Sequence, residues 1–146
     1  MNKQLDFYKS YHNNIINQWI HFFCIPMIVT SIMIFLKDFY ILYDQGKSYK
    51  IKLVDILILF YTIGYLNISI KIGFIMFIYF ILLDYISGII VKYNYETIAK
   101  YMFLCGWIFQ FIGHYIEGKR PALLDSFTQS FFQAPLFSLD VIINLE

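Results

Sequence analysis

The feature that most restricts the fold of this chain is a series of four long apolar runs, separated by short polar connections. The runs cover residues 19–36, 53–70, 72–91 and 98–116. Each is close to the roughly 20 residues that an α-helix needs to cross the hydrocarbon of a bilayer. We therefore predict an all-α integral membrane bundle of about four transmembrane helices.

The composition supports a lipid environment. Hydrophobic residues make up 60% of the 146 residues and charged residues only 14%. A soluble domain of this size leaves much of its surface in water and would expose a large part of that apolar inventory. Since the length is that of one domain, we predict a single membrane-embedded helical domain over residues 1–146.

Amphipathic segments are predicted at both ends of the bundle. Residues 1–11 indicate a short interfacial helix, followed by an asparagine-rich break with Asn17 as the N-cap of the first span. Residues 39–52 are predicted to be an exposed connection, and Gly118 is predicted to end the fourth span. Residues 121–133 then indicate a second interfacial helix, ending near Pro135.

Charge and cysteine usage exclude some functions and targeting signals. The formal net charge of +1, without a cluster of Lys and Arg, argues against a nucleic-acid surface. Cys24 and Cys105 both lie in apolar runs and are expected to be free thiols. The first apolar run follows a polar segment and does not resemble a removable signal peptide. Lys and Arg are spread evenly over the connections, so the positive-inside rule does not fix the membrane orientation. The sequence does not indicate the oligomeric state either.

The chain has only three histidines, and all of them lie near ends of predicted helices. His12 and His21 would point to opposite faces of one unbroken helix, because nine steps of about 100° leave them about 180° apart. The asparagine-rich break allows His12 to fold back beside His21. In an up-and-down bundle, the fourth span returns His114 to the same membrane face.

The fourth span carries a polar stripe. Gln110, His114 and Glu117 follow the i, i+4, i+7 spacing of one helical face. Polar groups at membrane depth are costly unless they face the bundle interior and have partners, so this stripe is a candidate functional site. Glu117 is expected to support the histidines, with Lys119 or Arg120 as a competing partner.

Three neutral imidazoles would bind a transition metal and leave positions open for oxygen or substrate, and Fe(II) fits that pattern. The alternative is that each histidine is an interfacial polar residue bonded to backbone or lipid. A non-catalytic membrane protein, either a haem-binding module or a scaffold, therefore stays open. A di-iron hydroxylase would need about eight histidines and is excluded.

Other polar side chains could join the site. Asp84 in the third run is either a metal ligand or support for a histidine, or else a carboxylate bonded to Tyr or Ser87. Arg120 and Lys119 are either membrane anchors or the groups that hold a substrate carboxylate. Gln110 is a candidate substrate contact beside them.

Two blocks of the sequence resemble a known family. The first is FYKSYHNNIINQWIHFFCIP, residues 7–26, and the second is GWIFQFIGHYIEGKRPALLDSFTQSFFQAPLF, residues 106–137. In this order they are similar to the signature blocks of the endoplasmic-reticulum 2-hydroxy-fatty-acid dioxygenases. The resemblance implies a multi-pass enzyme of the endoplasmic-reticulum membrane that uses Fe(II) and O₂. Its implied reaction shortens a 2-hydroxy fatty acid by one carbon, an α-oxidation step in phytosphingosine and sphingolipid catabolism.

The resemblance assigns metal binding to His12, His21 and His114. Two positions depart from the family pattern. Asn13 stands where many members have a second consecutive histidine, and Tyr85 follows Asp84 where an Asp-His pair is expected. If that further histidine is an obligatory ligand, Asp84, Glu117 or water must replace it.

Overall fold

In a computed structural model of the chain, the described residues are 8–43, 50–93, 96–143 and 145. Most of them are helical, as predicted. The elements in chain order are α1 (Ile15–Phe35), β1 (Tyr40–Tyr43), β2 (Lys50–Lys52), α2 (Leu53–Leu66), α3 (Ile70–Lys92), α4 (Glu96–Glu117), a 3₁₀ helix (Ala122–Leu124) and α5 (Phe127–Ile143).

Two of the described helices, α1 and α3, are long and apolar enough to cross a membrane. The second predicted span gives a shorter helix, since the 14 residues of α2 extend about 21 Å. That length falls short of a hydrocarbon core of about 30 Å. The structure therefore supports two of the four predicted spans by length and composition, and it does not confirm the other two.

Contacts within the chain divide it into two compact units. The first, which we call the histidine unit, comprises Met1–Ile28 and Tyr101–Glu146. The second, the hairpin unit, is Val29–Lys100. Helices α1 and α4 each begin in one unit and end in the other.

In the hairpin unit, α2 and α3 pack against each other and are joined by a short polar turn. The turn forms because Ser69 caps α3, its Oγ accepting a hydrogen bond from Ile72 N at 3.1 Å. Gly73 permits a close approach, because a Cβ there would lie 2.4 Å from a Leu66 side-chain carbon. Fully buried Tyr65 stacks on Phe80 between the two helices.

The predicted exposed connection over residues 39–52 contains an antiparallel pair of strands. Strand β1 pairs with β2, Tyr40 lying opposite Lys52, and Leu53 N donates to Phe39 O at 2.8 Å. The aromatic and β-branched residues of this segment favour extended backbone. Asp55 in the first turn of α2 then accepts a hydrogen bond from Lys52 N at 2.9 Å.

Helix α1 begins before the position predicted from the sequence. Asn14 is its cap, since Asn14 Oδ1 accepts a hydrogen bond from Ile16 N at 2.8 Å. The assignment of Asn17 as the cap was wrong, because Asn14 supplies the acceptor three residues earlier and Asn17 lies inside the helix. The predicted N-terminal helix lies mostly outside the described residues, although Tyr8 and Lys9 are helical.

Helix α5 continues through Pro135, where an end was predicted. Proline removes one backbone donor from a helix. The residues that follow it are held by packing, with Leu136 fully buried and Phe137 nearly so. Ser138 Oγ also donates to Pro135 O at 2.7 Å. Tertiary burial therefore outweighs the local preference of proline.

Candidate metal centre

The site begins with the reversal of the chain between His12 and α1. The cap at Asn14 starts the helix, and Gln18 Nε2 donates to His12 O at 2.9 Å. His12 is thereby folded back onto the first turns of α1, where His21 lies. Both imidazoles are buried, with 1% and 0% of their surface exposed.

Each of these two imidazoles is oriented by a carbonyl oxygen four residues earlier. Nδ1 of His12 lies 2.8 Å from Tyr8 O, and Nδ1 of His21 lies 2.9 Å from Asn17 O. A carbonyl only accepts, so each Nδ1 carries the proton and each neutral ring presents an Nε2 lone pair.

The two lone pairs face each other, with Nε2 of His12 3.0 Å from Nε2 of His21. Two acceptors at this distance in a buried site repel unless a proton or a cation lies between them. The separation also matches two nitrogens in adjacent positions on one ion, since metal–imidazole bonds are about 2.0–2.1 Å. The donor set therefore fits a transition metal.

His114 completes the cluster from α4. Its ring centroid lies 4.9 Å from that of His12 and 5.0 Å from that of His21. The side chain is buried, and its Nδ1 has no hydrogen-bond partner among the described residues. One ligand nitrogen from each of the three histidines lies within 4.8 Å of the others. The structure thus brings together the three histidines that were predicted to lie at the same membrane face.

Aromatic rings enclose the cluster. Tyr8 stacks on His12 at a centroid distance of 4.5 Å, and Phe137 of α5 lies 4.6 Å from His12 and 6.0 Å from His21. Burial lowers the pKa of His12 to about 4, and the hydrogen bond to Tyr8 O only partly offsets this. The ring is therefore neutral near pH 7, as metal binding requires.

Glu117 at the end of α4 joins the helix to the chain around His12. Its Oε1 accepts a hydrogen bond from Asn13 N at 2.8 Å, and its Oε2 accepts from Asn14 N at 2.7 Å and Asn17 Nδ2 at 3.3 Å. Partial burial raises the carboxyl pKa, but these hydrogen bonds outweigh it and the net pKa is lowered. The carboxylate is also favoured by the positive end of the α1 dipole.

The end of α4 is shaped by Gly118, as predicted. Gly118 has a φ of 70°, its N donates to Tyr115 O, and Lys119 N donates to His114 O. This Schellman arrangement satisfies the last carbonyls of the helix. It also directs Lys119 back to the His12 segment, where Nζ donates to Ser10 O at 2.6 Å.

Two glycines of α4 allow this helix to pack closely against α1. A Cβ on Gly106 would lie 2.7 Å from an Ile28 carbon, and a Cβ on Gly113 would lie 2.4 Å from Asn17 Oδ1. Asn17 is fully buried and its carbonyl orients His21. Gly113 therefore leaves the space that Asn17 occupies.

Gln110 lies on the same face of α4 as His114, as the stripe predicted. Its side chain is buried next to His21. Its Nε2 has no partner among the described residues. A free amide donor therefore lies beside the imidazoles.

Arg120, predicted to hold a substrate carboxylate, makes an ion pair with Asp125, and 71% of its side chain is exposed. Asp125 also accepts a hydrogen bond from Tyr11 Oη at 3.0 Å. A substrate carboxylate at Arg120 would have to compete with Asp125.

Asp84 lies in α3 and is not among the residues whose ligand atoms converge. Ser87 Oγ donates to Asp84 O at 2.7 Å and lies 3.5 Å from Asp84 Oδ1. The short hydrogen bond is therefore to the backbone carbonyl, and the carboxylate makes only the longer contact with Ser87. A role for Asp84 as a ligand stays a prediction.

The sequence of this chain matches that of a known protein family. A model of the family described as 2-hydroxy-palmitic acid dioxygenase Mpo1-like matches residues 1–145. The chain belongs to the Mpo1-like family. It is 34% identical over 142 residues to the 2-hydroxy-palmitic acid dioxygenase MPO1 of Saccharomyces cerevisiae, covering 94% of this chain and 76% of the yeast protein. No solved structure matches the chain.

Several contacts of this Mpo1-like site were not predicted from the sequence. Tyr8 precedes His12 by one helical turn, a spacing that could have indicated its stacking role. Phe137 lies in the second resemblance block but carries no chemical signal of its own. The ion pair between Lys9 and buried Asp140, at 2.7 Å, joins two segments far apart in sequence. Sequence spacing gives no indication of that pair.

Proposed function

We propose that this protein is an Fe(II)-dependent dioxygenase that converts 2-hydroxy fatty acids to fatty acids one carbon shorter. The observation that carries the proposal is the pair of facing Nε2 lone pairs of His12 and His21, buried beside His114 in a member of the Mpo1-like family. The multi-pass endoplasmic-reticulum location and the role in phytosphingosine catabolism are part of the same proposal.

In the proposed reaction, a 2-hydroxy acid and O₂ give the shortened acid, CO₂ and water. The bond between the carboxyl carbon and the hydroxyl-bearing carbon breaks, and O₂ is the oxidant. Ferrous iron held by His12, His21 and His114 would supply O₂ activation and a binding point for the hydroxy acid.

The described residues prepare the site in three ways. Tyr8 O and Asn17 O fix the tautomers of His12 and His21, so that both Nε2 atoms stay available. Phe137 and Tyr8 pack against the imidazole of His12. The unpartnered Nε2 of Gln110 offers a hydrogen bond to an oxygen of the bound acid.

The substrate partner fits an apolar protein in a lipid bilayer. The acyl chain would lie among apolar side chains or lipid, while the carboxylate and hydroxyl approach the histidines. Lys119 and Arg120 remain candidates for guiding the carboxylate, each by exchanging a present contact, with Ser10 O or Asp125, for the substrate.

Haem binding is less compatible with this geometry. Two axial imidazoles on opposite faces of a haem have nitrogens about 4 Å apart, twice a metal–imidazole bond of about 2 Å. The 3.0 Å separation between His12 and His21 is shorter than that. A Soret band in the purified protein would revive the haem alternative.

The test is anaerobic purification in detergent with iron quantification, followed by addition of O₂ and 2-hydroxypalmitate. We expect one iron per chain and formation of pentadecanoic acid by mass spectrometry. His114→Ala should lose both, and retention of both would reject the site. The Asp84→Asn variant, purified in parallel, tests whether Asp84 is a further metal ligand. Loss of iron from this variant would add Asp84 to the three histidines.

A further inference from the structure

Three stretches of chain deliver the histidines, and one carboxylate contacts all three stretches. His12 is followed directly by Asn13 and Asn14, whose backbone N–H groups donate to Glu117. Glu117 itself lies one helical turn after His114 on α4.

The third stretch is reached through Asn17. The Nδ2 of Asn17 donates to Glu117 Oε2 at 3.3 Å, while the carbonyl of Asn17 accepts the hydrogen bond from His21 Nδ1. The orientation of His21 and the placement of Glu117 are therefore coupled through one residue. Gly113 provides the space for it.

Glu117 acts on the histidines through other groups. Both of its oxygens already accept hydrogen bonds, and it is not in the group whose ligand atoms converge. Other polar contacts hold the His12 stretch alone, such as Lys119 with Ser10 O and Asp125 with Tyr11. Glu117 differs from these because it also reaches Asn17.

We propose that Glu117 is a positioning residue, which sets the spacing of the imidazoles of His12, His21 and His114 through Asn13, Asn14 and Asn17. This inference rests on the proposed function, because the spacing matters for holding a metal ion. Without the carboxylate, Lys119 still joins the end of α4 to Ser10, but the connection of both stretches to Asn17 is lost and the three nitrogens cease to be preorganised.

The experiment compares wild-type protein with Glu117→Ala and Glu117→Gln, each prepared metal-free in detergent and titrated anaerobically with Co(II). Loss of an outer partner of a metal site typically lowers affinity about 10–100-fold. We expect a loss in that range for Glu117→Ala, with a changed Co(II) absorption spectrum. Glu117→Gln keeps one acceptor oxygen and should fall in between.

Asp55→Asn is the matched control. Asp55 is also a carboxylate that accepts a backbone N–H at the start of a helix, but it lies in the hairpin unit. It should leave the Co(II) affinity and spectrum unchanged, whatever it does to thermal stability. Folded Glu117→Ala with wild-type affinity and spectrum would overturn the positioning role.

Amide hydrogen exchange of the metal-free proteins provides a readout independent of metal. Glu117→Gln removes one of the two acceptor oxygens, so protection of Asn13 or of Asn14 should be lost relative to wild type. This variant also serves if Glu117→Ala does not fold. Unchanged protection would reject the inference. A wild-type protein that binds neither Co(II) nor Fe(II) would instead reject the proposed function, and the exchange data would still show whether Glu117 holds this segment.

Discussion

The imidazoles of His12 and His21 owe their orientation to backbone carbonyls of their own helical turns. This arrangement leaves the nitrogen farther from the backbone free on each ring. Because the His12 ring is buried, its protonated form is disfavoured. The chemistry of the site therefore depends on keeping these side chains neutral.

The stability of the metal-free protein should fall as the pH drops from about 6.5 towards about 4. Burial lowers the pKa of His12 from 6.5 to about 4, so in this range the unfolded chain takes up a proton that the folded protein does not. The stability is complete above the unfolded pKa and declines as pH falls towards the folded pKa, by on the order of 3 kcal/mol. Denaturant unfolding in detergent at several pH values measures it.

His12→Asn is the control for this titration. The amide nitrogen of asparagine can take the place of Nδ1 and keep the hydrogen bond to Tyr8 O, while the titrating Nε2 is removed. The variant should show a flatter pH dependence over the same range. A wild-type slope in the variant would mean that another group titrates.

The sequence predicted the three converging histidines better than their partners. Three histidines in an apolar chain are conspicuous, and the spacing of Gln110, His114 and Glu117 places them on one face. The bonds from Asn13 and Asn14 to Glu117 use backbone N–H groups, which every non-proline residue has. Residue identity therefore carries no information about them.

At the scale of elements, the contact between α1 and α4 within the histidine unit depends on small residues. Gly113→Ala places a Cβ against the Oδ1 of buried Asn17, so the helices or Asn17 must shift. We expect a loss of about 1–3 kcal/mol in the free energy of unfolding. Metal affinity should fall with it, because Asn17 orients His21. Chemical denaturation and Co(II) titration measure the two effects.

Gly88→Ala is the matched control for this substitution. Gly88 lies in α3, and a Cβ there meets no atom within 4 Å. Alanine favours helix over glycine by about 1 kcal/mol, so this variant should be neutral or slightly stabilised. Equal losses in both variants would show that the packing at Gly113 has no special role.

The end of α4 was predicted correctly from a local signal in the sequence. The end of α5 depends on packing and was missed. Gly118 ends α4 by its backbone geometry, as predicted, and Ser69 begins α3 by capping its first turn. Pro135 was expected to end α5, but burial of Leu136 and Phe137 extends the helix beyond it. The second predicted run extends to residue 70, but α2 ends at Leu66 because the turn at Asn67 stops the helix.

At the scale of the whole molecule, α1 and α3 are the two helices among the described residues that are long and apolar enough to cross a bilayer. Much of the apolar surface of α3 faces outwards, and the exposed positions include its central residue Ile81. Exposed apolar side chains along a helix are expected when lipid is the surrounding solvent. The composition of the chain, known from sequence alone, already required this surface.

Ile81→Lys should strongly reduce membrane insertion of α3. A lysine at the centre of a transmembrane helix costs about 2.5–3.5 kcal/mol in insertion. Ile70→Lys, at the first residue of α3 and also exposed, should cost much less because it lies at the helix end. A glycosylation-reporter insertion assay compares them. Equal, small effects of both would show that α3 does not span the bilayer.

The histidine unit is discontinuous in sequence, since the whole hairpin unit is inserted between its two halves. A nascent chain therefore exposes His12 and His21 long before the ribosome has added His114, Glu117 and Phe137. The ligand set closes only near the end of translation, after the intervening helices have been made. Under the proposed function, a metal ion could therefore enter this site only late in the biogenesis of the protein.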